Sequence, residues 1–316
     1  NDAVELKKVI RQRRQLKKGY VEMLLKATPI LVVGIRNLGN YLPLEKDLFD
    51  ILIIDEASQV SVAQAFPAVL RAKKTIVLGD AKQFDNVKSH KASKDASESA
   101  FTGVRIAFEE ELYHLPAHER ELKLSKVDSF GIRTNILSFM QGIANYHTML
   151  TKHFRGYVEL IQYSNDKFYN NSLQVLKIRG IPLSRIIQFH PVEALPPLKG
   201  KENINHEEAM FILTELKRLK LEGYKGTIGI LSPTKDQVKH IKALIASDAD
   251  ATNFFNDFHL EVFTFDTCQG EERDLIYYSM VEREGENVLA NIFMIDDTRF
   301  GEGEYAPEHL KRLNVG

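Results

Sequence analysis

The apolar residues of this chain are grouped in short aliphatic runs that are separated by amphipathic stretches. Three such runs, all rich in β-branched residues, occupy residues 30–33, 51–54 and 75–78. A helical pattern at 60–71 lies between the second run and the third. Aliphatic runs that are bounded by turn residues are typical of buried parallel strands. The pattern therefore predicts an α/β domain in the first third of the chain.

Polar residues replace the strand pattern between residues 85 and 128, and the alternation of strands and helices resumes at residue 185. We therefore predict two α/β domains with parallel sheets, joined by a polar connection. The predicted boundaries are 1–93 for the first domain, with a basic helix over 3–27, then 94–128 for the connection and 129–316 for the second domain. The other predicted elements are helices at 104–122, 133–150, 206–222 and 234–246, and strands at 185–189, 227–231, 261–265 and 275–281.

Length and composition agree with this organisation and exclude several classes of protein. The chain has 316 residues, which is about twice a typical domain. With 44% hydrophobic and 27% charged residues it is neither disordered nor a coiled coil. A net charge of −1 excludes a histone-like basic protein but permits a local basic groove. No apolar run reaches the length of about 18 residues that indicates a membrane-spanning helix, so no membrane association is predicted.

Cys268 is the single cysteine, which excludes a disulfide framework and a cysteine-rich zinc site and favours a reducing compartment. No histidine stands near it in a catalytic pattern, so we predict a small packing residue. The first residues show no signal-peptide core. We therefore predict a cytoplasmic location, and we expect the sequence to be a segment of a longer protein.

Two adjacent carboxylates follow the second aliphatic run, Asp55 and Glu56 in the sequence Asp-Glu-Ala-Ser-Gln. Open α/β sheets bind ligands at the edge where parallel strands end. Two carboxylates at that edge cost desolvation free energy unless a cation or a reacting water needs them. In phosphoryl transfer, one carboxylate holds Mg²⁺ and its neighbour orients or deprotonates the attacking water. The alternative interpretation is a strand that ends in a polar turn.

A second polar loop follows the next aliphatic run, with the sequence Gly-Asp-Ala-Lys-Gln at residues 79–83. Gly79 frees the backbone, and the amide of Gln83 can contact a terminal phosphate. Taken alone, this loop fits a surface turn equally well. Two successive strands that end in such loops favour a nucleotide site.

These two loops resemble motifs II and III of superfamily 1 helicases, in particular of the Upf-like branch and its large bacterial members. Three further segments agree with the family in order and spacing. They are His-Phe-Arg-Gly at 153–156, Gln-Gly-Glu-Glu-Arg-Asp at 269–274 and Arg-Leu-Asn-Val-Gly at 312–316, which resemble motifs IV, V and the opening of VI. The resemblance extends from about residue 28 to the last residue. It implies two RecA-like domains, of which the first is incomplete.

The resemblance also implies an ATP-dependent helicase or translocase that moves along single-stranded DNA or RNA and uses ATP and Mg²⁺. Asp55 would bind Mg²⁺, and Glu56 would activate water. Gln83 and Arg155 would contact the γ-phosphate, the latter as an arginine finger. Two further residues, both in motif V, would contact nucleotide: Gly270 and Glu272.

Nucleic acid would be contacted by four residues: Ser232, Pro233, Thr234 and Thr264. The first three follow the predicted strand at 227–231, with Pro233 in the first turn of the next helix. Hydroxyls and exposed amide groups at a helix start suit a phosphate backbone. We therefore expect Ser232 and Thr234 to face solvent. The alternative is that they only cap the helix.

One motif of the family is absent, because no Gly-x-x-x-x-Gly-Lys-Ser/Thr P-loop occurs in the 316 residues. We expect a missing upstream segment to carry the P-loop, and we expect the isolated chain to hydrolyse ATP barely or not at all. Motif III also differs, since Ala81 stands where the family usually has proline.

Two other interpretations remain open from the sequence. The absence of a P-loop permits a non-catalytic nucleic-acid-binding or scaffolding module derived from a helicase. A nucleotidyl-transfer enzyme with paired carboxylates at a sheet edge is the weaker alternative, because no third carboxylate stands at a matching strand end.

Overall fold

The computed structural model describes residues 18–83, 94–128, 134–193, 195–197, 200, 202–283 and 314. The chain divides into two compact units. Unit 1 comprises Asn1–Ala81 and Asp85–His147, and unit 2 comprises Lys82–Phe84 and Thr148–Gly316. The three domain boundaries given above stay predictions.

Unit 1 contains a two-stranded sheet and six α-helices among its described residues. The strands are β1 (Phe49–Ile54) and β2 (Ala72–Val77), and the helices are α1 (Lys18–Ala27), α2 (Leu38–Tyr41), α3 (Val62–Val69), α4 (Lys94–Glu111), α5 (Ala117–Asp128) and α6 (Ile136–Gln141). Helix α1 is the described part of the predicted basic helix, whose other residues lie outside the described ranges.

Strands β1 and β2 are parallel, with Ile53 opposite Ile76 and Ile54 opposite Val77, and α3 connects them. One face of the pair packs on α3 and α6 through a core that includes Ile54 and Val77. The predicted strands at 51–54 and 75–78 and the helix between them are therefore confirmed. Parallel pairing requires such a crossover, which explains why strand and helix alternate in the sequence.

The other face of this sheet is aliphatic and open to solvent. Four side chains on it are between 43% and 60% exposed: Ile51, Ile53, Ile76 and Leu78. Strands whose residues are apolar on both faces normally belong to sheets that are covered on both faces. In the described part of unit 1, the sheet is covered on one face only.

Two predictions for unit 1 are wrong, the strand at 30–33 entirely and the helix at 133–150 in part. Residues 28–34 form no strand, and Val32 is 97% exposed, because none of the described strands pairs with this segment and a lone strand leaves its backbone groups unsatisfied. The helix predicted within 104–122 is present as two helices, α4 and α5, which are separated before Pro116 because proline disfavours helix at the preceding residue. The helix predicted at 133–150 is only α6, which ends at Gln141 with Gly142 as its C-cap.

Arg71 joins the segment that precedes β1 to the last turns of α3. Its side chain is buried, and its guanidinium donates to the carbonyl oxygens of Leu42, Pro43 and Pro67 at 2.9, 2.8 and 2.6 Å. Burial lowers the pKa of Arg71, but an arginine keeps its charge in proteins. Three carbonyl dipoles thus surround this buried cation.

Unit 2 contains two small parallel sheets and four α-helices among its described residues. In chain order the elements are β3 (Lys152–His153), α7 (Val158–Phe168), β4 (Gln174–Val175), α8 (His206–Leu221), β5 (Ile228–Ser232), α9 (Lys235–Ala246), α10 (Ala251–Asp257), β6 (Glu261–Thr264) and β7 (Leu275–Tyr278).

The larger sheet of unit 2 has the strand order β6-β5-β7, with all pairs parallel. The central strand β5 is buried along its whole length. Helices α8, α9 and α10 supply most of the core that packs on it, with Leu216, Ile241 and Phe254 almost fully buried. The five elements predicted between residues 206 and 281 are confirmed, with end points that differ by up to three residues.

The strand predicted at 185–189 is wrong. Residues 183–185 form a single 3₁₀ turn, and Phe189 is 88% exposed. The strands β3 and β4 were not predicted, because two residues each are too few to produce a pattern. Among the described residues of both units, no helix combines the length and the apolar character that a membrane span requires.

Candidate nucleotide and nucleic-acid sites

Asp55 and Glu56 lie directly after β1, at the carboxyl end of the parallel pair. Asp55 is exposed and Glu56 is half-buried. One carboxylate oxygen of Asp55 accepts a hydrogen bond from the backbone N–H of Glu56 at 2.9 Å. The amide of Gln59 donates to the Glu56 carboxylate at 3.3 Å. Both carboxylates therefore stand where the sequence predicted them.

The backbone of Glu56 is left-handed, with φ 50° and ψ 42°. This conformation is uncommon for a residue other than glycine, and such residues cluster at functional sites. Hydrogen bonds on both sides hold the loop, since Ala57 donates to the carbonyl of Leu78 at 2.9 Å and Leu78 donates to that of Ile54 at 2.8 Å. The conformation at Glu56 is thus imposed by the end of β2.

Gly79 brings the second polar loop against the first. A Cβ atom at Gly79 would lie 3.2 Å from the backbone nitrogens of Ala57 and Ser58 and from a methyl carbon of Leu137. Only glycine allows this approach without displacement of the backbone. Gln83 ends the same loop and is half-buried; its contact with phosphate stays a prediction.

The groups around Asp55 fit a magnesium nucleotide. Mg²⁺ is bound in proteins by one or two carboxylates together with water and substrate phosphates, and Asp55 offers an exposed carboxylate. The hydroxyl of Ser58 is buried and has no hydrogen-bond partner. Among the described residues no group of three or more His, Cys, Asp or Glu side chains could hold a metal. Phosphate oxygens would therefore have to complete the coordination.

Arg155 lies in the loop after β3, and His153 closes that loop. The Nε2 atom of His153 accepts a hydrogen bond from the backbone N–H of Gly156 at 2.8 Å. Burial, and then the positive charge of Arg155, hold the pKa of His153 below its usual value. The Lys177 ammonium donates to the carbonyl of Arg155 at 3.2 Å and lies 4.7 Å from the ring centre of Tyr157.

Arg155 and Glu272 form an ion pair in which the Nε of Arg155 donates to a Glu272 carboxylate oxygen. These residues are 117 positions apart in the sequence, and both were expected to contact nucleotide. Their side chains are 61% and 56% exposed. Exposed ion pairs contribute little to stability, so Arg155 can exchange Glu272 for a phosphate at small cost.

The turn before β7 contains the other motif V positions. Gly270 has φ +81°, a value that favours glycine. Asp274 accepts hydrogen bonds from the backbone N–H and the hydroxyl of Thr227 at 2.8 and 2.9 Å, and these bonds lower the pKa of Asp274. Asp274 therefore joins the starts of β5 and β7.

Thr234 is the N-cap of α9. Its hydroxyl oxygen accepts from the backbone N–H of Gln237 at 3.2 Å, and the same hydroxyl donates to the carbonyl of Asn203 at 2.8 Å. Pro233 precedes this cap instead of standing in the first turn of the helix as predicted. Thr234 therefore caps the helix, which is the alternative that the sequence also allows.

Ser232 does not face solvent, so that expectation is wrong. It is the last residue of the central strand, lies opposite Thr264 and is fully buried. The Ser232 hydroxyl has no hydrogen-bond partner, whereas the hydroxyl of Thr264 lies 3.1 Å from that of Thr267. Contact of either residue with nucleic acid stays a prediction.

A cavity of about 430 Å³ opens beside the first turn of α9. The Nε2 atom of His240, which lines it, lies 2.9 Å from the Nδ1 atom of His206 at the start of α8. The cavity thus adjoins the N-terminal turns of two helices, where partial positive charge favours anions. The lining residues are Gly200, Asn203, Ile204, Asp236, Lys239 and His240.

Comparison with known families identifies the family of this chain. A family model described as an AAA domain, AAA_12, which belongs to the superfamily 1 helicases, matches residues 134–302. This match covers more than half of the chain. The chain belongs to this superfamily 1 helicase family. The resemblance drawn from five ordered motifs is therefore confirmed.

Curated relatives of this helicase chain are named helicases. It is 26% identical over 280 residues to the uncharacterized ATP-dependent helicase MG140 of Mycoplasma genitalium, a match that covers 83% of this chain and 22% of the relative. Two proteins of Schizosaccharomyces pombe also match. Helicase sen1 is 22% identical to it, over 84% of this chain and 15% of the relative. The DNA replication ATP-dependent helicase/nuclease dna2 is 26% identical to it, over 83% of this chain and 18% of the relative. The helicase chain thus spans about a fifth of the length of these relatives.

Sequence reasoning missed one group of residues in the helicase chain, a buried polar cluster at the starts of α8 and α9. Burial raises the pKa of Glu208, the carboxylate of this cluster, and bonds from Ser279 and Val281 oppose that shift. A sequence signal existed, because Asn205 is followed three positions later by Glu208, which is the spacing of a capping box. The members are Asn205, Gln237 and Ser279, which are buried, and Glu208, which is half-buried.

Cys268 packs in a small apolar cluster with Phe263 and Phe265. Burial raises the pKa of its thiol to about 11, so the thiol is protonated at neutral pH. A nucleophilic role would require the thiolate, and the packing role predicted from the sequence fits these contacts.

Proposed function

We propose that this helicase chain is the motor region of an ATP-dependent helicase or translocase, which couples ATP hydrolysis to movement along single-stranded DNA or RNA. The observation that carries the proposal is the pair Asp55–Glu56 at the carboxyl end of β1, with Glu56 in a left-handed conformation. Membership of a superfamily 1 helicase family supports it.

Each carboxylate has a separate part in hydrolysis. Asp55 would hold Mg²⁺, which when bound would offset negative charge on the phosphates. Glu56 would accept the proton of the attacking water or orient that water, since general bases act through such contacts. The hydrogen bond from Gln59 keeps the Glu56 carboxylate in one position, which limits the reorganisation that catalysis requires.

Arg155 and Gln83 would contact the γ-phosphate. The ion pair with Glu272 holds the Arg155 side chain near motif V, from where it would transfer to the phosphate. A guanidinium stabilises the charge that develops during phosphoryl transfer. Gly270 and Glu272 would contact the nucleotide once Arg155 has left.

Single-stranded nucleic acid would bind unit 2 at the start of α9. Thr234 and the first turn of this helix lie beside the cavity that Lys239 lines. Helix N-termini favour phosphate because of their unpaired N–H groups and dipole. Ser232 and Thr264 would support this site from the ends of β5 and β6, and Pro233 would shape its entry.

A further polypeptide segment, carrying the P-loop, would complete unit 1. The bare aliphatic face of β1 and β2 supports this proposal, because such a face is typical of a sheet that is covered in the complete domain. The missing lysine of the P-loop would come from the same segment. The helicase chain alone would then hydrolyse ATP weakly.

The substitution Glu56→Gln tests the catalytic assignment. In the full-length protein it should lower ATP turnover by about 10²-fold or more while nucleotide binding is kept, because the amide cannot accept the proton. The matched control is Asp50→Asn at the other end of β1, where Asp50 pairs with Lys73 at 2.8 Å. This control should hydrolyse ATP at the wild-type rate. Steady-state phosphate release and equilibrium binding of a fluorescent ATP analogue give both quantities.

A Glu56→Gln variant with wild-type turnover would reject the assignment of the base. If the full-length wild-type protein binds single strands but never hydrolyses ATP, the alternative of a non-catalytic nucleic-acid-binding module is the correct one.

A further inference from the structure

The buried polar cluster of unit 2, which we call the Gln237 junction, joins three elements. It consists of Asn205 at the N-cap of α8, Glu208 in the first turn of α8, Gln237 in the first turn of α9 and Ser279 immediately after β7. Asn205, Gln237 and Ser279 are at most 1% exposed. These residues are up to 74 positions apart in the sequence, so only the folded chain brings them together.

Gln237 satisfies its amide within this junction. Its oxygen accepts from the backbone N–H of Asn205 at 2.9 Å. Its nitrogen donates to the Asn205 carbonyl and to the Ser279 hydroxyl, both at 2.8 Å. An amide is the side chain that can donate and accept in this way, and a carboxylate in its place would face two oxygen atoms with no proton to donate.

Glu208 receives hydrogen bonds from all sides of the junction. The Ser279 hydroxyl donates to it at 2.6 Å, the backbone N–H of Val281 at 3.1 Å and the Asn205 side-chain amide at 3.1 Å. All three partners are donors, which suits an ionised carboxylate. Glu208 is thus the acceptor that ends the chain of hydrogen bonds from Gln237 through Ser279.

Val281 shows that the junction holds a strained segment. Its φ is +65° and it is fully buried, which is a rare conformation for a β-branched residue. The N–H of Val281 donates to both carboxylate oxygens of Glu208. Strained backbone persists only where the surrounding contacts hold it, and here Glu208 supplies those contacts.

The junction lies directly under the surface that would meet nucleic acid. The backbone N–H of Gln237 donates to the capping hydroxyl of Thr234, and the neighbouring residue Asp236 lines the cavity. On its other side, β7 follows the motif V turn with Gly270 and Glu272. The junction is therefore the physical contact between the strand after the nucleotide-contacting turn and the helix start beside the cavity.

We propose that Gln237 and Glu208 are positioning residues, which set the first turn of α9 against the end of β7 and thereby fix the geometry of the phosphate contacts to single-stranded nucleic acid. This inference rests on the proposed function of unit 2. Neither side chain contacts nucleic acid; both act through the position of Thr234 and of the backbone N–H groups beside it.

The test is Gln237→Glu in the full-length protein, with labelled oligo(dT) and oligo(U) of equal length as probes. The variant retains side-chain length but leaves two oxygen atoms of the junction without a donor, and the affinity for the oligonucleotides should fall about 10-fold or more. The slope of log Kd against log salt concentration should become shallower by about one, because a phosphate contact is lost. Circular dichroism establishes the folded fraction.

Asn165→Ala is the matched control. Asn165 is buried in α7 of the same unit and makes two hydrogen bonds to the backbone of Leu173, the residue before β4, at 2.9 and 3.2 Å. Its loss should lower stability but leave the affinity of the folded molecules and the salt slope unchanged. A fall in affinity for both variants alike would mean that the junction acts only through stability, and the proposal would be overturned.

A second variant covers the case in which Gln237→Glu fails to fold. Ser279→Ala removes one link of the junction and should shift affinity and slope in the same direction by a smaller factor. If a folded junction variant kept the wild-type affinity and salt slope, the positioning role would be overturned, while the proposed function of unit 2 would stand. If the wild-type protein itself binds neither probe, the proposed function of unit 2 falls and this inference with it.

Discussion

Single residues in this helicase chain are held by specific bonds at the points where chemistry is proposed. Glu56 keeps an uncommon backbone conformation next to a strand end, and a ring nitrogen of His153 accepts the backbone N–H of Gly156, three positions later in the sequence. In both cases the conformation of the residue is already fixed in the structure without a ligand. This lowers the reorganisation that a site must undergo when phosphate arrives.

His153 should make the stability of unit 2 depend on pH. Its folded-state pKa lies below the ordinary value of about 6.5 because of burial and the charges of Arg155 and Lys177, which Glu272 partly opposes. The unfolded chain therefore takes up the proton first as pH falls. The stability that His153 contributes should be complete above about pH 6.5 and should be lost as pH falls through the lower, folded-state value.

Urea denaturation of the wild type and of His153→Gln, measured at intervals from pH 8 to pH 5, provides the comparison. Glutamine can accept the same N–H but does not titrate. The free energy of unfolding of the wild type should decline more steeply toward low pH than that of the variant. Parallel curves would show that His153 titrates alike in the folded and unfolded chain.

At the level of elements, the geometry of the candidate nucleotide site depends on the close approach of the two loops that follow β1 and β2. Strands β1 and β2 end side by side, and their following loops touch only because Gly79 lacks a side chain. Helix caps act in the same way in unit 2, where the N-terminal turns of α8 and α9 meet through Gln237. The site geometry therefore depends on the ends of elements.

The substitution Gly79→Ala should displace one loop from the other. A methyl group 3.2 Å from two backbone nitrogens and a leucine methyl must move its neighbours, and overpacking of this kind costs about 1–3 kcal/mol. The free energy of unfolding should fall by that amount, and ATP turnover of the full-length protein should fall with it. Chemical denaturation and phosphate release are the two measurements.

Gly103→Ala is the control for that substitution. Gly103 lies inside α4, and a Cβ atom there would meet nothing within 4 Å. Alanine should stabilise the helix by about 0.5–1 kcal/mol. If both substitutions lowered the free energy of unfolding equally, the close contacts at Gly79 would not be the cause of the loss.

On the scale of the whole molecule, periodicity predicted the larger sheet of unit 2 with helices α8 and α9, but it missed β3, β4 and α10 of the same unit. The apolar residues of strand β5 and helix α8 predict these elements correctly, because the elements on which they pack belong to the same unit. The run at residues 30–33 has the same pattern, but it pairs with no strand in the part of the chain that the structure describes. The hydrophobic pattern of a segment shows that it is able to form a strand, but a strand forms only where a partner strand is available for hydrogen bonds.

The candidate site divides in the same way. Asp55, Glu56 and Gly79 could be placed from sequence because strand ends and glycines mark loops. The burial of Ser232 could not be foreseen, since the pattern does not show that the central strand extends one residue further. Gln237 and Ser279 were missed because their contact joins residues 42 positions apart, and no local spacing signals such a bond.

The bare sheet face should make the isolated 316-residue chain self-associate. Ile53 and Ile76 lie opposite each other on that face and are 60% and 46% exposed, and exposed apolar patches with open strand edges promote association. The double variant Ile53→Thr, Ile76→Thr retains β-branched side chains and should raise the monomeric fraction several-fold in light scattering.

Ile54→Thr serves as its control, since Ile54 points into the core on the covered face. This change should destabilise unit 1 without raising the monomeric fraction. A wild-type chain that stays monomeric at the highest concentration tested would contradict the role given to the exposed face.

The clamp formed by Arg71 has a practical consequence for experiments on living cells. Because its guanidinium fixes Leu42 and Pro43 on one side, and β1 begins at Phe49 on the other, the short stretch 44–47 between them is anchored at both ends. Leu44 within it is 64% exposed. Anchored, exposed connections tolerate inserted sequence. This stretch is therefore the place to insert a fluorescent reporter or an affinity epitope while the loop that carries Asp55 keeps its shape.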